Sequence, residues 1–108
     1  MATMNAAVPQ TLIDAIVRTY APRRVVLFGS RARGTADTDS DLDLLVVLDD
    51  DVPGEALSWR RRHEARGSYR GPVDIIPCRQ GVLAERARVA GSFADSVLRD
   101  GVVVYERN

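Results

Sequence analysis

Residues 27–48, LFGSRARGTADTDSDLDLLVVL, contain a glycine–serine turn, a row of alternating aspartates and a continuous apolar run. The last eight of them, DLDLLVVL, predict a β-strand covered on both faces, because apolar runs of this length are typical of central strands. Side chains two residues apart in a strand share a face. The stretch therefore predicts a central strand that projects the carboxylates of Asp41 and Asp43 from one face at its beginning.

The rest of the chain alternates between helical and extended patterns around that strand. Apolar residues at helical spacing predict a helix over residues 9–20, and RRVVLFG predicts a short buried strand that ends at Gly29. Further along we predict a helical turn at 30–36, a helix at 53–66, a strand at 71–78, a helix at 80–97 broken near 91–92, and an edge strand at 102–106. This alternation predicts an α/β (α+β) fold with a small mixed β-sheet flanked by helices.

The composition predicts a single domain over residues 1–108. Fifteen basic and fifteen acidic residues give a net charge of zero, so no overall field attracts nucleic acid or a membrane surface. No apolar run approaches the roughly 20 residues of a membrane span, and no signal-peptide pattern is evident, so we predict a cytoplasmic protein. The single cysteine, Cys78, follows an apolar run and is predicted to be a buried, unreactive thiol.

Two familiar motifs do not account for the aspartates and the glycine–serine turn. An EF-hand loop that began at Asp37 would need glycine at its sixth position and glutamate at its twelfth, where this chain has Leu42 and Leu48. A Walker A loop over residues 29–34 would need a lysine next, but the next residue is Thr35 and the chain contains no lysine. A calcium loop is rejected on this pattern, and a P-loop is disfavoured.

The aspartates fit metal-dependent phosphoryl or nucleotidyl transfer better. Two carboxylates on one strand face, those of Asp41 and Asp43, can share Mg²⁺ ions that clamp the attacking and leaving oxygens of an in-line displacement. Asp74 interrupts an otherwise apolar strand, where an unpaired charge is costly, so it is the candidate third carboxylate. Asp37 and Asp39 are predicted to be surface charges of the connecting loop.

The glycine–serine turn is the candidate phosphate-binding element. Gly29 allows the backbone to approach a phosphate closely, and Ser30 offers a hydroxyl and the amides of a helix N-terminus, which favour anions. Arg31 and Arg33 follow within reach of the same phosphates, and Arg33 is the better candidate of the two. The turn is weak evidence when taken without the aspartates.

Together, these residues resemble the signature of the DNA polymerase beta nucleotidyltransferase superfamily: Gly-Ser, ten residues, then Asp-x-Asp. Residues 29–43 match it without a gap, and GSRARGTADTDSDLDLLV resembles the minimal nucleotidyltransferase (MNT, or MntA-like) branch in particular. The resemblance implies the polymerase beta-like nucleotidyltransferase fold. It implies that Gly29 and Ser30 hold a nucleotide triphosphate, that Asp41 and Asp43 ligate Mg²⁺, and that Asp74 is the third carboxylate of the catalytic set.

The resemblance also implies a partner and a reaction. Proteins of this branch are often antitoxins whose toxin is a HEPN-domain ribonuclease, and they silence it by transferring AMP from ATP to a tyrosine. It therefore implies a Mg²⁺-dependent protein adenylyltransferase that uses ATP, two Mg²⁺ ions and a HEPN-type toxin as acceptor and partner. Two alternatives stay open: an antitoxin that neutralises its toxin by binding alone, and a nucleotidyltransferase that acts on a small molecule.

Other charged and aromatic residues have mainly structural interpretations. The arginines within residues 60–70 predict a solvated helix face with ion pairs to the acidic turn at 49–51, and contact with an acidic partner or RNA is the alternative. Trp59 is predicted either to pack against the sheet or to anchor a partner. His63, the only histidine, has no predicted place near the carboxylates.

Overall fold

Four strands form the sheet of the computed structural model, which describes residues 8–29 and 41–107. They are β1 (Arg24–Phe28), β2 (Leu42–Leu48), β3 (Val73–Arg79) and β4 (Val102–Glu106), in the spatial order β3-β2-β1-β4. β1 runs antiparallel to β2 and β4, whereas β2 runs parallel to β3. The predicted fold class is confirmed, with β2 as an interior strand and β4 at an edge.

The helices of the described residues are α1 (Gln10–Tyr20), α2 (Trp59–Ala65), α3 (Gln80–Ala87) and α4 (Phe93–Asp100), and a 3-10 turn spans Gly54–Leu57. The continuous helix predicted over residues 53–66 is wrong. Ser58 has an extended backbone and separates the 3-10 turn from α2, and its Oγ accepts a hydrogen bond from the Arg61 N–H at 3.2 Å. This N-cap begins a new helix inside the range that was predicted to be one uninterrupted helix.

The predicted break near residues 91–92 is confirmed. Gly91 has a φ of 82°, a conformation that ends a regular helix, and Ser92 caps α4 by accepting a hydrogen bond from the Asp95 N–H at 3.1 Å. The break allows α3 and α4 to lie against the sheet as separate helices. Both can therefore cover one face of the strands.

The two faces of the sheet bury different sets of side chains. Leu44 and Val46 of β2 pack in a cluster with Leu12 and Ile16 of α1, and α2 closes the same face through Ala65. On the opposite face, one cluster combines strand residues with residues of α3 and α4: Val26, Leu45, Val47, Leu83, Ala94 and Val97. Because the strand residues alternate between these clusters, the face of each remaining residue of β2 is fixed.

Ion pairs join the ends of three strands at one end of the sheet. Asp49, directly after β2, accepts hydrogen bonds from Arg23 Nη1 at 3.0 Å and from Arg107 Nη2 at 2.9 Å. The predicted pairing of the 49–51 turn with the arginine-rich helix is therefore wrong for Asp49, and Arg61 of that helix bonds to Glu55 Oε1 at 3.0 Å instead.

Trp59 is 79% exposed, so the predicted packing against the sheet is also wrong. No described helix has the length and apolar character to cross a membrane.

Candidate active site

Three side chains stand in one row across the sheet, at the end where β1 finishes and β2 and β3 begin. Phe28 is the register partner of Asp43 in the antiparallel pair, and Asp43 is the register partner of Asp74 in the parallel pair. Such partners point to the same face, with Cα atoms about 5 Å apart. Asp43 lies two residues before Leu45, which packs with α3 and α4. The row therefore faces the α3–α4 side of the sheet.

Gly29 forms the turn beside this row. It follows β1 with a φ of 79°, and a Cβ atom built there would overlap the carboxylate of Asp43. Glycine adopts this left-handed conformation at no steric cost and leaves room for a second group to approach the backbone. The structure thus places the predicted phosphate-binding glycine directly against one of the predicted metal ligands.

The electrostatics of Asp43 connect the three predicted carboxylates. Burial raises the pKa of the Asp43 carboxyl above its ordinary value of 3.8, and the charges of Asp74 and Asp41 raise it further. A negative charge raises the pKa of a carboxyl group that lies near it. Asp41 is exposed immediately before β2, and Asp74 is exposed at the second position of β3. The structure therefore brings the three acids to one end of the sheet.

The remaining predicted residues fall in a part of the chain that the structure does not describe. Ser30, Arg33 and the helical turn predicted at 30–36 lie outside the described residues, as do Asp37 and Asp39. Their assignments remain predictions from the sequence.

The donor set fits a hard divalent cation. Carboxylate oxygens are the ligands that Mg²⁺ prefers, and a cation between Asp43 and its neighbours would offset the repulsion among their charges. Within residues 8–29 and 41–107, no group of three histidine, cysteine, aspartate or glutamate side chains is arranged to hold a metal ion. The fit therefore rests on the chemistry of the three carboxylates and on the repulsion at Asp43.

A cleft of about 250 Å³ opens beside Gly29. It is lined by the end of β1 and by α4: Phe28, Gly29, Phe93, Ser96, Val97 and Asp100. The rings of Phe28 and Phe93 meet edge to face, with centroids 5.3 Å apart. No sequence motif points to the α4 residues, because they reach the site only through the packing of α4 on β1.

An apolar groove of about 380 Å³ continues along the same face behind the carboxylates. Leu45 and Ile76 form its floor, each two residues beyond an aspartate of the row. Val89 and Phe93 lie on its rim and are 64% and 57% exposed. Exposed apolar side chains around a groove are typical of a surface that binds a partner or ligand.

A small basic cleft of about 150 Å³ lies beside the third carboxylate. It is lined by Arg62, His63 and Arg66 of α2 and its C-cap, together with Asp74 and its strand neighbours. His63, which has no predicted place near the carboxylates, lines this cleft together with Asp74. The pairing of α2 with the edge strand β3 produces this arrangement, which the order of residues in the chain does not reveal.

Comparison with known proteins identifies the family. The model of the family described as "Nucleotidyltransferase domain" matches residues 10–90, a span that includes the glycine turn and all three predicted carboxylates. The chain belongs to this family. The resemblance expected from the sequence is confirmed at this level, and no curated protein matches the chain in sequence.

Solved structures share the nucleotidyltransferase fold. A putative nucleotidyltransferase from Sulfolobus solfataricus is 25% identical, with a TM-score of 0.60, and the match covers 91% of this chain and 77% of that one. A toxin–antitoxin structure with AMP-PNP is 21% identical, with a TM-score of 0.58 and coverage of 94% and 76%. A mutant of the toxin–antitoxin MntA-HpeT is 18% identical, with a TM-score of 0.59 and the same coverage. The last two likenesses establish the fold.

Proposed function

We propose that this nucleotidyltransferase is the antitoxin of a HEPN-type toxin and transfers AMP from ATP to a tyrosine hydroxyl of that toxin in a Mg²⁺-dependent reaction. The observation that carries the proposal is the register of Asp43 and Asp74 beside Gly29. Two in-register carboxylates beside a glycine turn are groups that can hold a metal–nucleotide complex at the end of a sheet.

Asp41, Asp43 and Asp74 are the residues that would hold Mg²⁺, as two ions in the proposal. The metal would neutralise the charge that develops on the phosphoryl oxygens during transfer. Gly29 and Ser30 would bind the triphosphate through backbone amides, and Arg33 would contact its terminal phosphates. Asp74 is exposed on the edge strand, where an incoming acceptor can approach it.

The chemical step balances with these groups. The acceptor oxygen forms a bond to the α-phosphorus of ATP, the bond between that phosphorus and the bridging oxygen breaks, and pyrophosphate leaves. Asp74, as the third carboxylate, would act as the general base that accepts the proton of the acceptor hydroxyl. The protein contributes mainly positioning and electrostatic stabilisation, as in phosphoryl transfer generally.

A protein acceptor is supported by the apolar groove behind the carboxylates. The groove begins at Leu45 and Ile76, so a segment seated in it would present its side chains to Asp43 and Asp74. A groove of this size with exposed Val89 on its rim suits an apolar peptide segment. Two structures with the same fold are themselves toxin–antitoxin structures.

The experiment is to incubate the chain with its partner toxin and Mg-ATP and to measure the intact mass of the toxin. We expect the toxin to gain AMP, and we expect Asp41→Asn and Asp43→Asn each to abolish the gain. Asp51→Asn, on an exposed turn, is the matched control and should transfer AMP normally. A folded toxin that gains no mass from the wild-type chain would contradict the proposal.

Neutralisation by binding alone is the second candidate, and the exposed groove favours it because docking there needs no chemistry. The two candidates separate in cells that express the toxin. If Asp43→Asn still protects the cells while the AMP gain is lost, binding is sufficient. If protection disappears together with transfer, catalysis is the mechanism of neutralisation.

A further inference from the structure

The cleft between β1 and α4 gives the nucleotide a defined orientation. We infer that this cleft binds the nucleoside of the nucleotide substrate, with Phe93 stacking on the base and with Ser96 and Asp100 hydrogen bonding to the ribose. The inference deepens the proposed function and rests on it. Its starting point is that Gly29 is the shared wall of the cleft and of the carboxylate row.

The chemistry of the lining suits a nucleoside. The Phe93 ring is 57% exposed, and it meets Phe28 edge to face rather than by stacking. Aromatic side chains of this kind stack on bases of any sequence. The Ser96 hydroxyl and the Asp100 carboxylate line the same cleft, and carboxylates are common partners of ribose hydroxyls.

The electrostatics of α4 decide which end of the nucleotide enters the cleft. Asp100 is the last residue of α4, and the C-terminal end of a helix carries a partial negative charge. The nearby Arg99 pairs with Asp95 at 3.4 Å and does not line the cleft. A triphosphate would be repelled there, whereas the uncharged base and ribose are not. The phosphates therefore extend past Gly29 towards Asp43.

The size of the cleft leads to the same orientation. Pockets that enclose a whole drug-sized ligand measure about 300–1,000 Å³, and this cleft measures about 250 Å³. It suits one part of a nucleotide. With the nucleoside in the cleft, the first phosphate along the chain is the α-phosphate, and it passes Gly29 to reach the carboxylates. This is the phosphorus at which nucleotidyl transfer takes place.

The test measures binding by calorimetry with two probes, Mg-ATP and Mg-tripolyphosphate. Phe93→Ala should weaken ATP binding about fivefold or more and leave tripolyphosphate binding within about twofold. Phe93→Leu, which keeps an apolar side chain, should also weaken ATP binding. Trp59→Ala is the matched aromatic control, because Trp59 is exposed on α2 and does not line the cleft.

The ribose contacts are tested with 2′,3′-dideoxy-ATP. The wild-type chain should bind it less tightly than ATP, whereas Asp100→Asn and Ser96→Ala should bind the two nucleotides more nearly alike. Asp51→Asn is the control for loss of one surface charge. Circular dichroism and thermal unfolding verify that each variant is folded.

The outcomes separate this inference from the proposed function. If the wild-type chain binds neither probe, the proposed function fails and the inference fails with it. If the wild-type chain binds ATP and the Phe93 and Asp100 variants bind it equally well, the inference alone is overturned. If the Phe93 variants lose tripolyphosphate binding as much as ATP binding, the cleft binds phosphates. If they lose AMP transfer while ATP binding is unchanged, the cleft binds the acceptor. Either result overturns the inference.

Discussion

Gly29 and Asp43 lie so close across the β1–β2 pair that any side chain at position 29 would overlap the Asp43 carboxylate. The two positions are therefore coupled. A Cβ atom at position 29 would force the Asp43 carboxylate to move. This relationship leads to the first prediction.

Gly29→Ala should lower both stability and nucleotide binding. The backbone at position 29 has a φ of 79°, which strains any L-residue, and the new methyl group would displace Asp43. Gly91→Ala separates the two causes, since Gly91 has a φ of 82° but no atom within 4 Å of a built Cβ. Both variants should lose stability in thermal unfolding, whereas only Gly29→Ala should lose ATP binding. Equal ATP binding by the two variants would contradict the prediction.

Asp43→Asn should stabilise the metal-free protein at pH 7 while it abolishes transfer. Burial and the charges of Asp74 and Asp41 raise the pKa of Asp43 in the folded state. A raised carboxyl pKa contributes stability that is present below the unfolded value of 3.8 and is lost as the pH rises through the folded value. Asn has no charge to lose stability by ionising, so the Tm of the variant should exceed that of the wild type by roughly 2 °C or more at neutral pH.

The difference should disappear below pH 3.8, where Asp43 is protonated in both states. Millimolar Mg²⁺ should raise the Tm of the wild type more than that of Asp43→Asn, because a ligand stabilises only the state that binds it. Thermal unfolding at several pH values, with and without Mg²⁺, measures both effects. A variant with a lower Tm than the wild type at pH 7 would show that the carboxylate is not under repulsion.

Asp49→Asn should destabilise the protein at pH 7, in the opposite direction from Asp43→Asn. Hydrogen bonds from Arg107 and Arg23 lower the pKa of Asp49. A lowered carboxyl pKa contributes stability above the unfolded value of 3.8, and this stability is lost as the pH falls through the folded value. The difference in Tm between the variant and the wild type should become smaller in acid and in 1 M NaCl, because salt screens exposed ion pairs. A deficit that is independent of salt would argue against an electrostatic origin.

Tyr20→Phe should raise the Tm. The Tyr20 hydroxyl is buried, and within the described residues it has no hydrogen-bond partner. Burial raises the pKa of Tyr20 to about 12, which shows how poorly its ionised form is accommodated. Removing an unpaired buried hydroxyl removes a desolvation cost of about 1–3 kcal/mol. Tyr69→Phe, at a half-buried position, serves as the control, and a lower Tm for Tyr20→Phe would indicate a hydrogen bond at that hydroxyl.

Ser58→Ala should lower the Tm through the loss of the α2 cap. The Ser58 hydroxyl accepts the Arg61 N–H at 3.2 Å, and loss of such a cap costs about 1 kcal/mol. In a domain of this size, that corresponds to a Tm lower by about 4–8 °C. The exposed Ser68 offers the control substitution Ser68→Ala, which should leave the Tm nearly unchanged. Equal melting of the two variants would mean that the cap contributes nothing.

Local patterns predicted the strands well because the period-two alternation and the apolar run of β2 are local properties of the chain. They also predicted the shared face of Asp41 and Asp43. The pairing of Asp43 with Asp74 was not predictable from local patterns. It depends on the position along β2 at which β3 begins, and the long connection between the two strands sets that position. The helix predicted over 53–66 failed because Ser58 has an extended backbone and caps a new helix.

The cleft residues show a different limit of sequence reasoning. Phe93, Ser96 and Asp100 occupy one helix in an ordinary amphipathic pattern, and only the packing of α4 on β1 brings them beside Gly29. Trp59 shows the converse, since a large aromatic residue is expected to be buried and is instead exposed. Hydrophobicity predicts burial on average and does not decide it for a single residue.

The parallel pairing of β2 and β3 makes the site sensitive to the order of folding. The β1–β2 pair is antiparallel, whereas β3 joins β2 only after a crossover that includes the 3-10 turn and α2. Closing such a long segment costs entropy before its contacts form, and contacts between distant residues form slowly. A chain in which β3 has not yet joined the sheet would carry Asp41 and Asp43 without Asp74. Enzymatic competence would then appear later in refolding than helical circular dichroism, as a kinetic marker of β3 joining the sheet.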